Sequence, residues 1–149
     1  MTAARRPESV LVVVHAGESV LLLRRKPPFD FWQSVTGSLE PSESAPQAAA
    51  RELREETGID ASGELIDTGR QRWFDIDPRW RDRFEPGVTR NLEHEFRLTL
   101  DEPTPVALDD AEHSACEWLP LDAAIERVWS HTNRAALLEL KRSMTKGSP

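Results

Sequence analysis

The sequence predicts an α/β fold in which strands and helices alternate along the chain. Three features predict it: two β-branched runs near the N-terminus, a capped helical segment in the middle, and a strictly alternating strand followed by helical patterns. The chain has 149 residues, of which 38% are hydrophobic, enough for one domain with a buried core. We therefore expect a single domain over residues 1–149 with an ordered core over about 5–142.

The first three strands are predicted close together. Residues 9–15 (SVLVVVH) form a β-branched run of strand length. Residues 18–25 (ESVLLLRR) form another after Ala16-Gly17, so the two runs indicate a hairpin. Residues 31–37 (FWQSVTG) predict a third short strand that ends at a glycine.

Two further strands are predicted in the second half of the chain. In residues 92–100 (LEHEFRLTL), Leu92, Phe96 and Leu98 share one face with His94, while charged residues occupy the other. This alternation is typical of a half-buried strand. Residues 115–119 (ACEWL) predict a last short strand.

The central helix has clear start and stop signals. Ser44 is the predicted N-cap, and Gln47 three residues later closes a capping box. Pro46 falls in the first turn, where its missing N–H is tolerated. Gly58 stands where a glycine would end a helix that runs to Thr57.

The C-terminal part predicts two more helices. One begins at Leu121 and the other at about Asn133, capped by Thr132 or Asn133 itself. The first few residues and the tail 144–149 (MTKGSP) are expected to be mobile.

Composition limits the classes of function. The net charge of −7 and the pI of about 5.1 argue against a protein that coats nucleic acid or binds a membrane surface. Cys116 is the single cysteine, which excludes an internal disulfide and a cysteine-based zinc site. The apolar run from Val10 to Val14 is too short for a signal sequence or a membrane span, so we expect a cytoplasmic protein.

The central helix carries an unusual cluster of carboxylates. Glu52, Glu55 and Glu56 occupy positions i, i+3 and i+4 and would share one helix face. A solvated helix face is the ordinary explanation of such a run. The alternative is a divalent cation such as Mg²⁺, which binds a few carboxylates together with substrate phosphates. Arg51 could orient the carboxylates, and Gly37 could let the backbone approach the metal.

These residues match a known pattern at every defined position. Gly37, Glu43, Arg51-Glu52-Leu53, Glu55-Glu56 and Gly58-Ile59 reproduce the Nudix box, GX5EX7REUXEEXGU. The chain therefore resembles the Nudix hydrolases, and the resemblance implies an α/β/α sandwich with a mixed sheet and a Mg²⁺ or Mn²⁺ cluster. It assigns metal-ligand positions to Glu52, Glu55, Glu56 and the Gly37 carbonyl, an orienting position to Arg51, and a supporting carboxylate to Glu43.

The segments outside the box resemble one branch of this family, the bacterial pyrophosphatases that act on dihydroneopterin triphosphate. FWQSVTG, PGVTRN and TNRAALLEL carry this likeness, which extends from about Arg5 to Leu140. The resemblance implies an additional metal-binding glutamate at Glu112. It also implies substrate contacts at Arg5, Arg24, Thr36, Phe74, Asp75, Ile76, Asp77 and Ser130. His131 stands where the branch has tryptophan, and the turn after Arg25 carries an extra residue.

Physical reasoning about the flanks is compatible with a triphosphate substrate. A net-acidic chain must concentrate cations locally, and Arg5, Arg24, Arg25 and Arg90 could converge. Aromatic residues that could stack on a flat ring are Trp32, Trp73 and Phe74. Core packing is expected for Trp118, Trp129 and Cys116, and packing or surface roles for His15, His94 and His113.

The expected reaction is metal-assisted hydrolysis of dihydroneopterin triphosphate to the monophosphate and pyrophosphate, with Glu55 or Glu112 as general base. The resemblance also allows a house-cleaning hydrolase of dGTP-like or oxidised nucleotides, because guanine and pterin present similar edges. A third alternative is a binding domain that does not turn over its ligand. All three take a small-molecule ligand, and none predicts an oligomeric state.

Overall fold

The computed structural model describes residues 4–61 and 63–146. Within them lie a mixed β-sheet and helices on both of its faces. The strands are β1 (Glu8–Ala16), β2 (Ser19–Arg25), β3 (Trp32–Gln33), β4 (Val35–Ser38), β5 (Ile66–Asp75), β6 (Arg90–Thr99) and β7 (His113–Pro120). The helices are α1 (Ala45–Thr57), α2 (Leu121–Arg127) and α3 (His131–Lys146), with a 3₁₀ helix at Pro78–Arg83.

Strand β1 lies at the centre of the sheet, whose order is β3-β2-β1-β6-β5. It pairs in parallel with β6 from Glu8 opposite Leu92 to His15 opposite Thr99. It pairs antiparallel with β4, and with β2 only at the hairpin turn. Strand β7 pairs with β2. The predicted α/β class with a mixed sheet is confirmed.

The two faces of β1 supply two separate cores. Val10, Val12 and Val14 pack in the cluster that contains the apolar residues of α1. Leu11 and Val13 pack in the cluster that contains those of α2 and α3. Because both faces are covered, β1 is apolar throughout, as is typical of a buried strand. The predicted α/β/α sandwich is therefore confirmed.

The predicted third strand is divided in two. Strand β3 pairs with β2, whereas β4 pairs with β1, so the chain changes partner at Ser34. Asn133 of α3 stabilises this crossing: its Oδ1 accepts the Ser34 backbone N–H at 2.8 Å, and its Nδ2 donates to Ser34 Oγ at 3.0 Å.

Strand β5 was not predicted, and β6 is not half-buried as predicted. Arg70 and Arg72 of β5 reach Glu95 of β6, with nitrogen to oxygen distances of 3.4 and 2.6 Å. The supposed polar face of β6 is therefore covered, and Glu93 and Glu95 are both buried.

The ends of the helices partly match the predictions. The capping box of Ser44 and Gln47 and the glycine stop at Gly58 are confirmed. Helix α3 begins two residues earlier than predicted, and Ser130 Oγ accepts the Asn133 N–H at 3.1 Å. Helix α3 continues through residues 144–146 and Met144 packs against its core cluster, while the mobility expected of this tail stays a prediction. Residues 1–3 and 147–149, also predicted to be mobile, lie outside the described residues.

Candidate active site

A cavity of about 640 Å³ opens between the first described residues, the 74–84 segment and the start of α3. We call one part of it the acidic region, formed by Gly37, Glu52 and Glu112 with Glu56 directly behind Glu52. We call another part the aromatic region, formed by Phe31, Gln33, Trp80, Glu93 and Trp129.

The acidic region is built on the inner face of α1. Glu56 is 1% exposed, and both of its carboxylate oxygens lack a hydrogen-bond partner among the described residues. Glu112 lies in the loop directly before β7. Ligand atoms of Glu56, Glu112 and His113 lie within 4.8 Å of one another. Leaving buried carboxylate oxygens unpaired costs free energy, and a bound cation would supply the missing partner.

The carboxyl groups of α1 are electrostatically strained. Burial, and next the negative charge of Glu52, raise the pKa of Glu56 well above its ordinary value. Burial also raises the pKa of Glu52, and Arg51 opposes this shift. Two carboxylates brought together away from water favour any positive charge placed between them. The residues present therefore fit a divalent metal ion with oxygen ligands.

Arg51 holds the cluster in place. Its Nε and Nη2 bind the two oxygens of Glu43 at 2.8 and 2.9 Å, and Nη2 also donates to the Ser38 carbonyl at 3.0 Å. Its Nη1 donates to Glu52 at 2.8 Å and to Glu55 at 3.2 Å. Such charge-assisted contacts fix the Glu52 carboxylate, which is the orienting arrangement expected from the sequence.

Gly37 permits the close approach of Glu52 to the backbone. A Cβ atom at this position would overlap the carboxyl group of Glu52. Only glycine therefore leaves room for the carboxylate against β4, and both residues line the cavity.

Glu55 lies outside the cavity lining, whereas His113 lies beside the carboxylate cluster. The side chain of Glu55 is 53% exposed and is not among the residues that line the cavity. His113, predicted as a packing or surface residue, is fully buried, and its Nε2 lies 3.3 Å from Glu56 Oε1. Burial, with Arg25 nearby, lowers the pKa of His113 to about 4, so the imidazole is neutral at pH 7. No spacing in the sequence linked His113 to the box.

Five arginines line the cavity; Arg6 and Arg51 are paired with glutamates, and of the other three the sequence predicted two. Arg5 and Arg25 line it together with Arg83, which sequence reasoning missed. Partial burial, and next the charge of Arg83, lower the pKa of Arg5. Such closely spaced cations suit a polyphosphate. The structure does not bring the other two expected arginines to the cavity.

Those two arginines have partners elsewhere. Arg24 donates from Nε to Asp30 at 2.7 Å. Arg90 lies over the ring of Trp73, 4.7 Å from its centroid. A register shift of β2 against β7 falls between Arg24 and Arg25, and this bulge decides which of the two faces the cavity.

The other expected substrate-contacting residues all line the cavity: Thr36, Phe74, Asp75, Ile76, Asp77 and Ser130. Some of them also have structural partners. The Thr36 hydroxyl donates to the Val10 carbonyl at 2.9 Å, and Ser130 binds the first turn of α3.

The aromatic region uses residues that the sequence did not single out for it. Phe31 and Trp129 stack with ring centroids 4.2 Å apart, and Trp80 meets Trp129 edge to face at 6.0 Å. Trp129 is 41% exposed, so its expected core role is wrong, whereas Trp118 packs against the α1-side core. Trp32 and Trp73, the predicted stacking residues, are absent from the cavity lining, although Phe74 belongs to it.

The sheet, the box helix and the carboxylate cluster define a Nudix-type hydrolase site. A family model described as NUDIX domain matches residues 5–140, and the chain belongs to this family. Among the described residues, every helix is too short or too polar to cross a membrane.

Two relatives and one solved structure that resemble the chain are named for the same activity. The chain is 46% identical over 140 residues to dihydroneopterin triphosphate diphosphatase of Escherichia coli strain K12, covering 89% of this chain and 91% of that protein. It is 34% identical over 142 residues to the Haemophilus influenzae protein of the same name, covering 92% and 89%. The solved structure of the E. coli dihydroneopterin triphosphate pyrophosphohydrolase matches with a TM-score of 0.85 and 44% identity, covering 93% of this chain and 97% of that one.

Proposed function

We propose that this protein hydrolyses dihydroneopterin triphosphate to dihydroneopterin monophosphate and pyrophosphate with Mg²⁺ as cofactor. The observation that carries the proposal is the coupled carboxylate pair of the buried Glu56 and of Glu52, which lines the same cavity as Arg5, Arg25 and Arg83. A site with both needs a divalent cation and a polyphosphate together. Relatives at 46% and 34% identity named for this activity support the substrate.

The residues that would hold the metal are Glu52, Glu56, Glu112 and the Gly37 carbonyl. When bound there, Mg²⁺ supplies Lewis-acid stabilisation of the phosphate charge and lowers the pKa of water. Arg51 keeps Glu52 oriented, while Arg5, Arg25 and Arg83 bind the terminal phosphates. Water attacks the first phosphorus of the triphosphate. The bond between the first and second phosphates breaks, and pyrophosphate leaves. Substrate contacts at Thr36, Ser130 and residues 74–77 complete the site.

Glu112 is the better candidate for general base. It lines the cavity, whereas Glu55 does not and is bound to Arg51. A base must reach the proton that it removes. We therefore assign proton transfer from the attacking water to Glu112 and a supporting electrostatic role to Glu55.

The test is hydrolysis of dihydroneopterin triphosphate beside dGTP, with Mg²⁺, with Mn²⁺ and with excess EDTA. Products are resolved as pyrophosphate or phosphate. We expect metal-dependent pyrophosphate release from the pterin and weaker release from dGTP. Faster turnover of dGTP would assign the chain to nucleotide house-cleaning. Ligand binding without metal-dependent product would leave a binding domain.

A further inference from the structure

The aromatic region contains two buried polar side chains that the hydrolytic mechanism does not use. Glu93 of β6 is 6% exposed and Gln33 of β3 is 7% exposed, and both line the cavity. Oε1 of Glu93 and Nε2 of Gln33 make no hydrogen bond to any residue that the structure describes. Leaving buried polar atoms unpaired costs free energy, so the natural partner of both is a bound molecule.

The first turn of α3 links these two groups. The hydroxyl of Thr132 is close enough to lower the pKa of the Glu93 carboxyl group. The next residue, Asn133, makes two hydrogen bonds to Ser34, the neighbour of Gln33 in the chain. The first turn of α3 thus contacts both the Glu93 side chain and the residue that follows Gln33.

Neighbouring polar residues are already satisfied. Asn91, which also lines the cavity, donates from Nδ2 to Ser9 Oγ at 2.8 Å. Glu95, two residues along β6 from Glu93, is paired with Arg70 and Arg72. The polar atoms free for a ligand are therefore a carboxylate acceptor and an amide donor.

We propose that Glu93 and Gln33 recognise the 2-amino-4-oxo edge of the substrate ring. The carboxylate accepts two adjacent N–H groups, that of the 2-amino group and that of the neighbouring ring nitrogen. The Gln33 amide donates to the ring carbonyl. Guanine presents the same carbonyl acceptor, ring N–H donor and 2-amino donor in the same order. Adenine instead presents an amino donor where guanine has the carbonyl, and a ring-nitrogen acceptor where guanine has the N–H. The assignment rests on the proposed function, because it specifies how that substrate is selected.

The surroundings support this reading. Phe31 and Trp129 line the same cavity as the two polar groups and offer flat aromatic surfaces, which suit a bicyclic ring. Burial raises the pKa of Glu93 to about 7, with Glu95 raising it further and Thr132 and Arg72 opposing the shift. Two ring N–H groups would compensate the part of the buried carboxylate charge that Thr132 and Arg72 leave uncompensated.

The test is equilibrium binding of dGMP, dIMP and dAMP, measured by calorimetry in EDTA. Monophosphates without metal minimise the contribution of the acidic region. dIMP lacks only the 2-amino group, and dAMP reverses the edge. We expect the wild-type protein to bind dGMP at least about tenfold more tightly than dIMP, and dAMP more weakly still.

Variants then assign each contact. Glu93→Gln should reduce the dGMP to dIMP affinity ratio to below about threefold, because its amide cannot accept both N–H groups. Gln33→Met should weaken dGMP and dIMP equally and leave their ratio unchanged. Glu95→Gln, the same change two residues along the same strand, should preserve the wild-type ratio.

Equal affinity of wild-type protein for dGMP and dIMP, no dGMP binding in the millimolar range, or an unchanged ratio in Glu93→Gln would overturn the assignment. The wild-type comparison requires no variant, so poor folding of a mutant cannot remove the test. A protein that prefers dGMP but does not hydrolyse dihydroneopterin triphosphate would refute the proposed function and retain this recognition.

Discussion

The acidic and aromatic regions of the cavity are built in opposite ways. The acidic region takes Glu52 and Glu56 from one helix, and Gly37 and Arg51 fix their positions through local contacts. The aromatic region takes its residues from β3 and the position before it, from β6, from the 3₁₀ helix and from the segment between α2 and α3. The difference shows that most of the proposed metal ligands come from one contiguous segment, joined by Glu112 from the loop before β7, whereas the proposed selection of the ring depends on residues from the whole fold.

The largest expected effect lies in the acidic region. Glu56→Gln removes a buried negative charge that the metal requires, so we expect kcat to fall by at least about 10³-fold while KM changes little. Steady-state kinetics at saturating Mg²⁺ measures this. Glu126→Gln, an exposed change on α2, is the matched control. A kcat within tenfold of wild type, roughly 1.4 kcal/mol, would remove Glu56 from the mechanism.

The next effect concerns stability in the aromatic region. The pKa of Glu93 is about 7 in the folded protein against a reference of 4.5, so the folded state holds a proton that the unfolded state releases between those values. Stability conferred by this proton is therefore lost as pH rises towards 7. Glu93→Gln should be more stable than wild type by up to about 3 kcal/mol at pH 8 and nearly equal to it at pH 4.

Urea unfolding at the two pH values checks this expectation. Glu95→Gln should show the opposite sign at pH 8, because Glu95 is paired with Arg70 and Arg72 and its substitution leaves both without their shared carboxylate. A Glu93→Gln protein that is less stable than wild type at pH 8 would contradict the idea that this carboxylate is maintained at a cost in stability.

A smaller loss of activity is expected from a change in the backbone of the acidic region. The methyl group of Gly37→Ala would displace the Glu52 carboxylate, and we expect kcat to fall about 10²-fold. Gly63→Ala is the control, since a Cβ there meets nothing within 4 Å. Circular dichroism should show an unchanged fold in both. Normal activity of Gly37→Ala would mean that Glu52 need not lie against the backbone.

The smallest expected effect separates the arginines. Arg83→Ala should raise KM for the triphosphate about tenfold, because it removes one charge-assisted phosphate contact. Arg24→Ala should leave KM unchanged, because Arg24 is paired with Asp30 outside the cavity lining. Initial rates over a range of substrate concentrations distinguish the two. If Arg24→Ala raised KM and Arg83→Ala did not, Arg24 would regain the substrate-contacting role that the sequence resemblance implied.

The sequence placed the α1 carboxylates together because the information for their position is local. The spacing of Glu52 and Glu56 on one helix, and the caps at Ser44 and Gly58, can be read without knowing the fold. Arg24 was placed in the substrate site instead of being paired outside it, because a bulge changes which side chain faces the cavity, and no pattern reveals a bulge of this kind.

The parts of the fold that were missed have polar interiors. Strand β5 pairs Arg70 and Arg72 with the buried Glu95, so it shows no hydrophobic alternation. Glu93 was predicted to face solvent because charged residues alternate with apolar residues along β6. Its partners in the cavity come from distant segments, so only the assembled sheet identifies it as part of the site.

The most direct test of the division between the two regions is single-turnover hydrolysis of dihydroneopterin triphosphate by wild type, Glu56→Gln and Glu93→Gln. Enzyme in excess is varied at saturating Mg²⁺, so that the plateau rate reports chemistry and the half-saturation concentration reports binding. We predict that Glu56→Gln lowers the plateau with unchanged half-saturation, and that Glu93→Gln raises half-saturation about tenfold or more with a plateau near wild type. A plateau lost equally in both variants would contradict the division.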